Sequence, residues 1–170
     1  MAIIEAIQKR YSCRAYKDKP IEQAKLDEIF EAARQAPSAN NLQDWRFVVV
    51  TDRETKLQVA QSTNRSEIFA KAGAIIAACS NSDRVMKCGQ SMGPIDVAIA
   101  MEHIALQATH LGLATCWIGS FEPATVRSVL GIPKNIAVIE LMAIGYPEKG
   151  SRQTDREPLG KIVCYEKWQF

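Results

Sequence analysis

Gly112-Leu113-Ala114-Thr115-Cys116-Trp117-Ile118-Gly119-Ser120-Phe121 is the stretch on which the fold turns. Its apolar centre, Ala114 to Ile118, predicts a short buried strand. Before it lies the longest predicted helix, Ile95 to Leu111, with Ala98, Met101, Ile104, Ala105, Ala108 and Leu111 available for packing. So many small and apolar positions suit a helix buried on more than one side. Gly119 either turns the chain or lets a ligand approach the main chain closely, because it has no Cβ.

Outward from that stretch, Pro123 to Leu130 reads as a helix stopped by Gly131, and Ala137 to Ile144 as a strand. On the N-terminal side, Trp45 to Thr51 and the wholly apolar Gly73 to Cys79 read as strands, the second fully buried. Helices are predicted for Ile3 to Arg10, for Ile21 to Ala36 after Pro20, and for Arg53 to Gln61. Ala36 to Asn41 and Ser80 to Gly93 read as loops. The tail, Lys161 to Trp168, has strand composition but no core pattern of its own. With no repeat or linker, this is one α+β or α/β domain of about four core strands.

The 170 residues are 47% hydrophobic and 24% charged, the balance of a globular chain large enough to close a core. Lys plus Arg number 21 against 19 Asp plus Glu, a net charge of +2 that gives no reason to expect nucleic-acid or membrane binding. No apolar run approaches the roughly 20 residues of a spanning helix, and the N-terminus lacks the basic region of a secretory signal. The five cysteines are widely spaced without a C-x-x-C pair. That predicts free thiols in a reducing cytoplasm and no metal scaffold.

Three segments carry candidate chemistry. Lys9-Arg10-Tyr11-Ser12-Cys13-Arg14 places two guanidinium groups and a hydroxyl where they can hold a phosphate, or simply end a helix with solvated charge. Pro37-Ser38-Ala39-Asn40-Asn41-Leu42-Gln43-Asp44-Trp45 offers amides suited to the edge of a flat heterocycle, or to satisfying their own turn. Ile118-Gly119-Ser120 offers main chain. A further basic pair, Arg152 and Arg156, precedes Pro158-Leu159 and reads by default as surface charge.

In order and spacing these segments resemble the nitroreductase family of FMN-dependent oxidoreductases, from Ile4 to Trp168. Arg10-x-Ser12-x-Arg14 is similar to the family's R-x-S-x-R/K opening, and Pro37-Ser38-x-x-Asn41-x-Gln43-x-Trp45 to its P-S-x-x-N-x-Q-P-W. Gly112-Leu113-x-Thr115-Cys116-Trp117-Ile118-Gly119 is similar to G-L-G-T-C-W-I-G. Leu130-Gly131-Ile132-Pro133, Gly145-Tyr146-Pro147, Arg156-x-Pro158-Leu159 and Tyr165-Glu166-x-Trp168 follow in the family's order.

The resemblance implies a mostly antiparallel sheet flanked by helices, in a homodimer whose C-terminal strands add to each other's sheets. It also implies FMN at the interface. Arg10, Tyr11, Ser12 and Arg156 would serve the phosphate and Arg14 the ring edge. Pro37, Ser38, Ala39, Asn41 and Gln43 would form or support the flavin site, Ser38 and Ala39 reaching the partner's flavin. Ile118, Gly119 and Ser120 would present main chain to flavin N5. The implied activity is electron transfer from NAD(P)H to a nitroaromatic, quinone or flavin by a ping-pong route, with no side chain as catalytic acid or base. His103, His110 and the cysteines are then packing or surface residues.

The chain departs from the family pattern at Asp44, where Pro is usual, and at Ala114, where Gly is usual. The segment from Cys79 to Ile95 is short where larger members carry a helical insertion over the flavin. An open site follows, with room for a protein redox partner. Alternatives are other flavin chemistry on the same fold, such as reductive dehalogenation or flavin breakdown, and a flavin-binding module without turnover.

Overall fold

The computed structural model describes residues 3–150 and 154–170. Four strands form one antiparallel sheet in the order β1-β2-β4-β3: β1 Trp45–Val50, β2 Ala74–Ser80, β3 Ala114–Ile118 and β4 Ala137–Gly145. The six α-helices of the described residues are α1 Glu5–Lys9, α2 Gln23–Arg34, α3 Arg53–Ala60, α4 Ser66–Lys71, α5 Met92–His110 and α6 Pro123–Leu130.

β2 explains the layering. Every residue of Ala-Ile-Ile-Ala-Ala-Cys-Ser is buried, and the pleat sends alternate side chains to opposite faces. Ile75, Ala77 and Cys79 enter one core, with Val59, Ile68, Phe69 and Val126 of α3, α4 and α6. Ala74, Ile76 and Ala78 enter the other, with Ile29 of α2 and Met101, Ile104 and Ala105 of α5. Each fully buried isoleucine here contributes roughly 1.5–3 kcal/mol.

The elements expected from periodicity are present, most of their ends shifted by one to three residues. α5 starts at Met92, inside the expected loop; Pro94 is tolerated there because a first-turn residue needs no N–H acceptor. Gly93 is required by packing, since a Cβ on it would lie 2.5 Å from the Ser80 Oγ on β2. α4 is an unexpected helix, too short to show periodicity and anchored by buried Ile68 and Phe69. α6 matches its predicted span, with Gly131 at φ 64° closing it.

Lys161–Trp168 forms no strand in the single chain; a 3₁₀ turn at Leu159–Lys161 leads into irregular structure. A strand needs an edge to pair with, and none is reached within the chain. Tyr165 is 77% and Trp168 82% exposed, the latter edge-on to Phe170 at 4.9 Å. No helix of the described residues is long and apolar enough to cross a membrane.

Candidate flavin site

The segment after α1 lies along the outer edge of β3. Ser12 bridges Thr115 in parallel register, and the Cys13 N–H donates to the Thr115 carbonyl at 2.9 Å. Tyr16 anchors the far end: its buried hydroxyl donates to the carbonyls of Cys13 (3.1 Å) and Ala143 (3.2 Å). Lys17 N–H donates to Tyr146 O at 2.8 Å and Glu148 N–H to Ala15 O at 3.0 Å. The Tyr11 hydroxyl donates to Lys149 O at 2.8 Å, and burial pushes its pKa up to about 12, so it remains a donor.

These pairings fold the chain after β4 back over the first segment. The result is a cleft of about 470 Å³ lined by Arg10, Tyr11, Ser12, Arg14, Thr154, Asp155 and Arg156. Three guanidinium groups face one carboxylate there, so the cleft is net cationic and suits a phosphate. Arg10 stands 3.8 Å from Glu102 of α5, a long and half-exposed ion pair that leaves most of its fork free. Arg152 lies outside the described residues.

Arg14 also borders a second cleft, of about 210 Å³, with Arg65, Ile68, Cys116, Trp117, Ile118, Gly119 and Ser120. Burial pushes the Cys116 thiol up despite the two arginines, so it stays protonated and unreactive. The two buried side-chain oxygens without a hydrogen-bond partner among the described residues, Thr115 Oγ1 and Glu140 Oε1, lie on β3 and β4 beside this region.

The amide loop is elsewhere. It precedes β1, and β1 and β3 are opposite edges of the sheet, three strand spacings or roughly 14 Å apart. Asn40, Asn41 and Gln43 adopt φ of 51°, 54° and 54°, conformations unusual outside glycine. The buried Asp96 of α5 holds the loop by accepting from Ala39 N–H at 3.1 and 3.2 Å. Ser38 Oγ accepts from Gln43 N–H at 3.0 Å, and the Gln43 amide donates to Asn41 Oδ1 at 3.1 Å. The main-chain carbonyl of Asp44 accepts from Asn81 N–H at 3.3 Å.

Arg10, Tyr11, Ser12, Arg14 and Arg156 therefore meet in one cleft, and Ile118, Gly119 and Ser120 join it through Arg14. Pro37, Ser38, Ala39, Asn41 and Gln43 do not meet them within one chain. Arg65, Asp96 and Asp155 are additions that sequence reasoning missed; nothing local distinguishes them from surface charge. His103 packs, its Nδ1 3.0 Å from Ala32 O, and His110 is exposed.

The nitroreductase family model matches residues 7–65 and 54–146, most of the chain. The chain belongs to the nitroreductase family. A relative from Archaeoglobus fulgidus, named for an NADH dehydrogenase or NAD(P)H nitroreductase role, is 33% identical over 97% of this chain and 98% of its own. A nitroreductase family protein from Clostridium difficile superposes with a TM-score of 0.88 at 33% identity, over 99% of this chain and 100% of that one. An FMN-dependent nitroreductase from the same species gives 0.86 at 29% identity, over 98% and 100%. The nitroreductase fold thus spans the chain at full length. Residues 81–91 join β2 to α5 as a short connection closed by the Val85–Ser91 bridge and a turn at Met86–Gln90.

Proposed function

We propose that this nitroreductase family member is an FMN-dependent oxidoreductase that carries electrons from NAD(P)H to an electron-poor nitroaromatic, quinone or flavin by a ping-pong route. The observation that carries the reading is the pair of clefts joined by Arg14. One is a cationic pocket for a phosphate, and the other a main-chain surface at Gly119–Ser120 that a flat ring can approach. Bound FMN supplies the hydride chemistry.

Arg10, Ser12 and Arg156 hold the phosphate, with Tyr11 lining their cleft. Arg14 stands at the ring edge, where positive charge stabilises the negative charge that reduction adds. Ile118, Gly119 and Ser120 present main chain to the N5 side. Pro37, Ser38, Ala39, Asn41 and Gln43 complete the site from a second copy, because within one chain they sit at the opposite sheet edge.

Two further features support a homodimer. β1 pairs on one side only, so its outer edge is open to a strand from another chain. Leu159, Ile162, Tyr165 and Trp168 are exposed apolar residues in a tail of strand composition. The protein would act in the cytoplasm, its Cys13, Cys79 and Cys116 free and buried. With only residues 81–91 between β2 and α5, the site stays open enough for a protein redox partner as well as a small acceptor.

The test is a visible spectrum of the purified protein with added FMN, before and after anaerobic NADH or NADPH. Bound flavin bands that bleach with either nucleotide are expected. Bands that persist would mean a binding module or other flavin chemistry, and no bound flavin would overturn the reading.

A further inference from the structure

Glu140 is a carboxylate in an unusual place. It lies on β4 opposite the end of β3, where Leu141 pairs with Ile118, and so stands across from Gly119. A Cβ built on Gly119 would lie 3.4 Å from both Oε1 and Oε2 of Glu140. The carboxyl group therefore lies in van der Waals reach of the position a Cβ at 119 would take. Its Oε1 is buried and accepts no hydrogen bond. An unpaired buried carboxylate oxygen is costly, so a residue kept in that state calls for an explanation.

We propose that Glu140 is a positioning residue of the electron-transfer reaction, acting through the Gly119–Ser120 main chain. Its carboxyl group packs beside that main chain, and its ionised form opposes the negative charge that reduction adds to the ring on the far side. This rests on the flavin reading given above. In the pH window where the carboxyl is ionised beside the oxidised ring and neutral beside the reduced one, two-electron reduction draws up to one proton from solvent onto it; well above that window it stays ionised and takes up none. Where it is already neutral, no proton is taken up there.

The surroundings leave Glu140 free to play this part. Burial raises its pKa, opposed only by the main chain of Ile118 and Leu141, with no charged side chain contributing. Arg14 and Arg65 border the cleft at Cys116–Ser120. On α5, Asp96 accepts from Ala39 N–H and Glu102 faces Arg10. On and before β1, the Arg46 guanidinium donates to the carbonyls of Gln43 and Trp45, and Asp44 binds Asn81 N–H through its carbonyl. Across the sheet Glu140 meets the small Ala78 of β2.

The deciding experiment is the flavin midpoint potential against pH, by spectroelectrochemistry on the holoprotein and Glu140→Gln. At acid pH the two potentials coincide. At alkaline pH the Gln variant is reduced more easily, by about tenfold in equilibrium constant, or about 30 mV for a two-electron couple. The native curve bends where the carboxyl titrates and the Gln curve does not. Potentials that superimpose at every pH, with flavin bound in both, overturn the proposal and leave the flavin reading intact. A native protein that binds no flavin overturns both. If Glu140→Gln loses its flavin, Glu140→Asp decides: a displaced bend supports the role, and a curve identical to the native one overturns it.

Discussion

The outer edge of β3 and the loop before β1 are both rich in polar groups, yet they are built in opposite ways. At the β3 edge, residues far apart in sequence are paired by main-chain hydrogen bonds, Ser12 with Thr115 and Ala15 with Glu148, and by the Tyr11 hydroxyl donating to Lys149 O. None of the cations there has a positive φ, and they share one cleft. The loop before β1 is held locally, by residues within five positions of one another and by Asp96. It accepts three non-glycine residues in the left-handed region, each of which costs of order 1 kcal/mol or more. The difference teaches that the β3 edge is a site prepared within one chain. The loop is a shaped surface that meets none of those cations within the chain, which is why we propose a second copy as its counterpart.

The largest test of that contrast is removal of the tail. A chain ending at Gly160 is expected to lose both the dimer and its bound flavin, followed by light scattering and visible absorbance. A truncated protein that stayed dimeric and yellow would break the two-chain site. Next in size, Arg10→Ala and Arg156→Ala should each weaken FMN binding by about 1.5–3 kcal/mol, the worth of a charge-assisted hydrogen bond. That is roughly ten- to 150-fold in Kd, measurable by flavin fluorescence titration. Loss of affinity without loss of dimer would sharpen the separation between the two regions.

Asp96→Ala leaves the Ala39 N–H without its acceptor, at a cost of about 1–3 kcal/mol read from urea unfolding. Flavin retention should fall although every residue of the β3-edge cleft is unchanged. The smallest effect concerns Glu22, which accepts from the Tyr146 hydroxyl just before the segment that pairs with residues 15–17. That hydrogen bond, and Lys19 beside it, hold the Glu22 carboxyl at about 2 instead of 4.5. A depressed folded pKa contributes stability above the ordinary value, lost as pH falls from 4.5 towards 2. Glu22→Gln should therefore flatten the acid limb of stability in that window and change little at neutral pH. Because the pair is solvent-exposed, a steep native acid limb that survived the substitution would assign acid sensitivity to other carboxylates.

Much of this was legible locally. The apolar run Gly73–Cys79 pointed to a buried strand, which is β2, and Pro123 with Gly131 marked both ends of α6. Arg10, Ser12, Arg14 and Arg156 stood out through the order of the family's motifs, the first two and Arg156 as candidates for a phosphate and Arg14 for a ring edge, and all four do line one cleft. Arg65 and Asp155 were not, because an arginine or aspartate in a polar stretch looks the same whether it faces a cleft or solvent. Met92–Gly93–Pro94 read as a loop because glycine and proline break helices on average. Close packing of Gly93 on Ser80 and a proline in the first turn reversed that preference.

By itself, then, the sequence determined the elements, the two-sided burial of β2 and α5, and which residue types could meet a phosphate and a flat ring. These follow from periodicity and side-chain chemistry, which act over a few residues. Only the tertiary structure decided that residues 12–16 occupy the β3 edge, that the amide loop lies at the other edge, and that Glu140 sits over Gly119. Those are matters of strand order and register, fixed by main-chain pairing between segments well separated in the chain, from Ile118 with Leu141 to Tyr16 with Pro147. No local preference specifies which edge a segment will find.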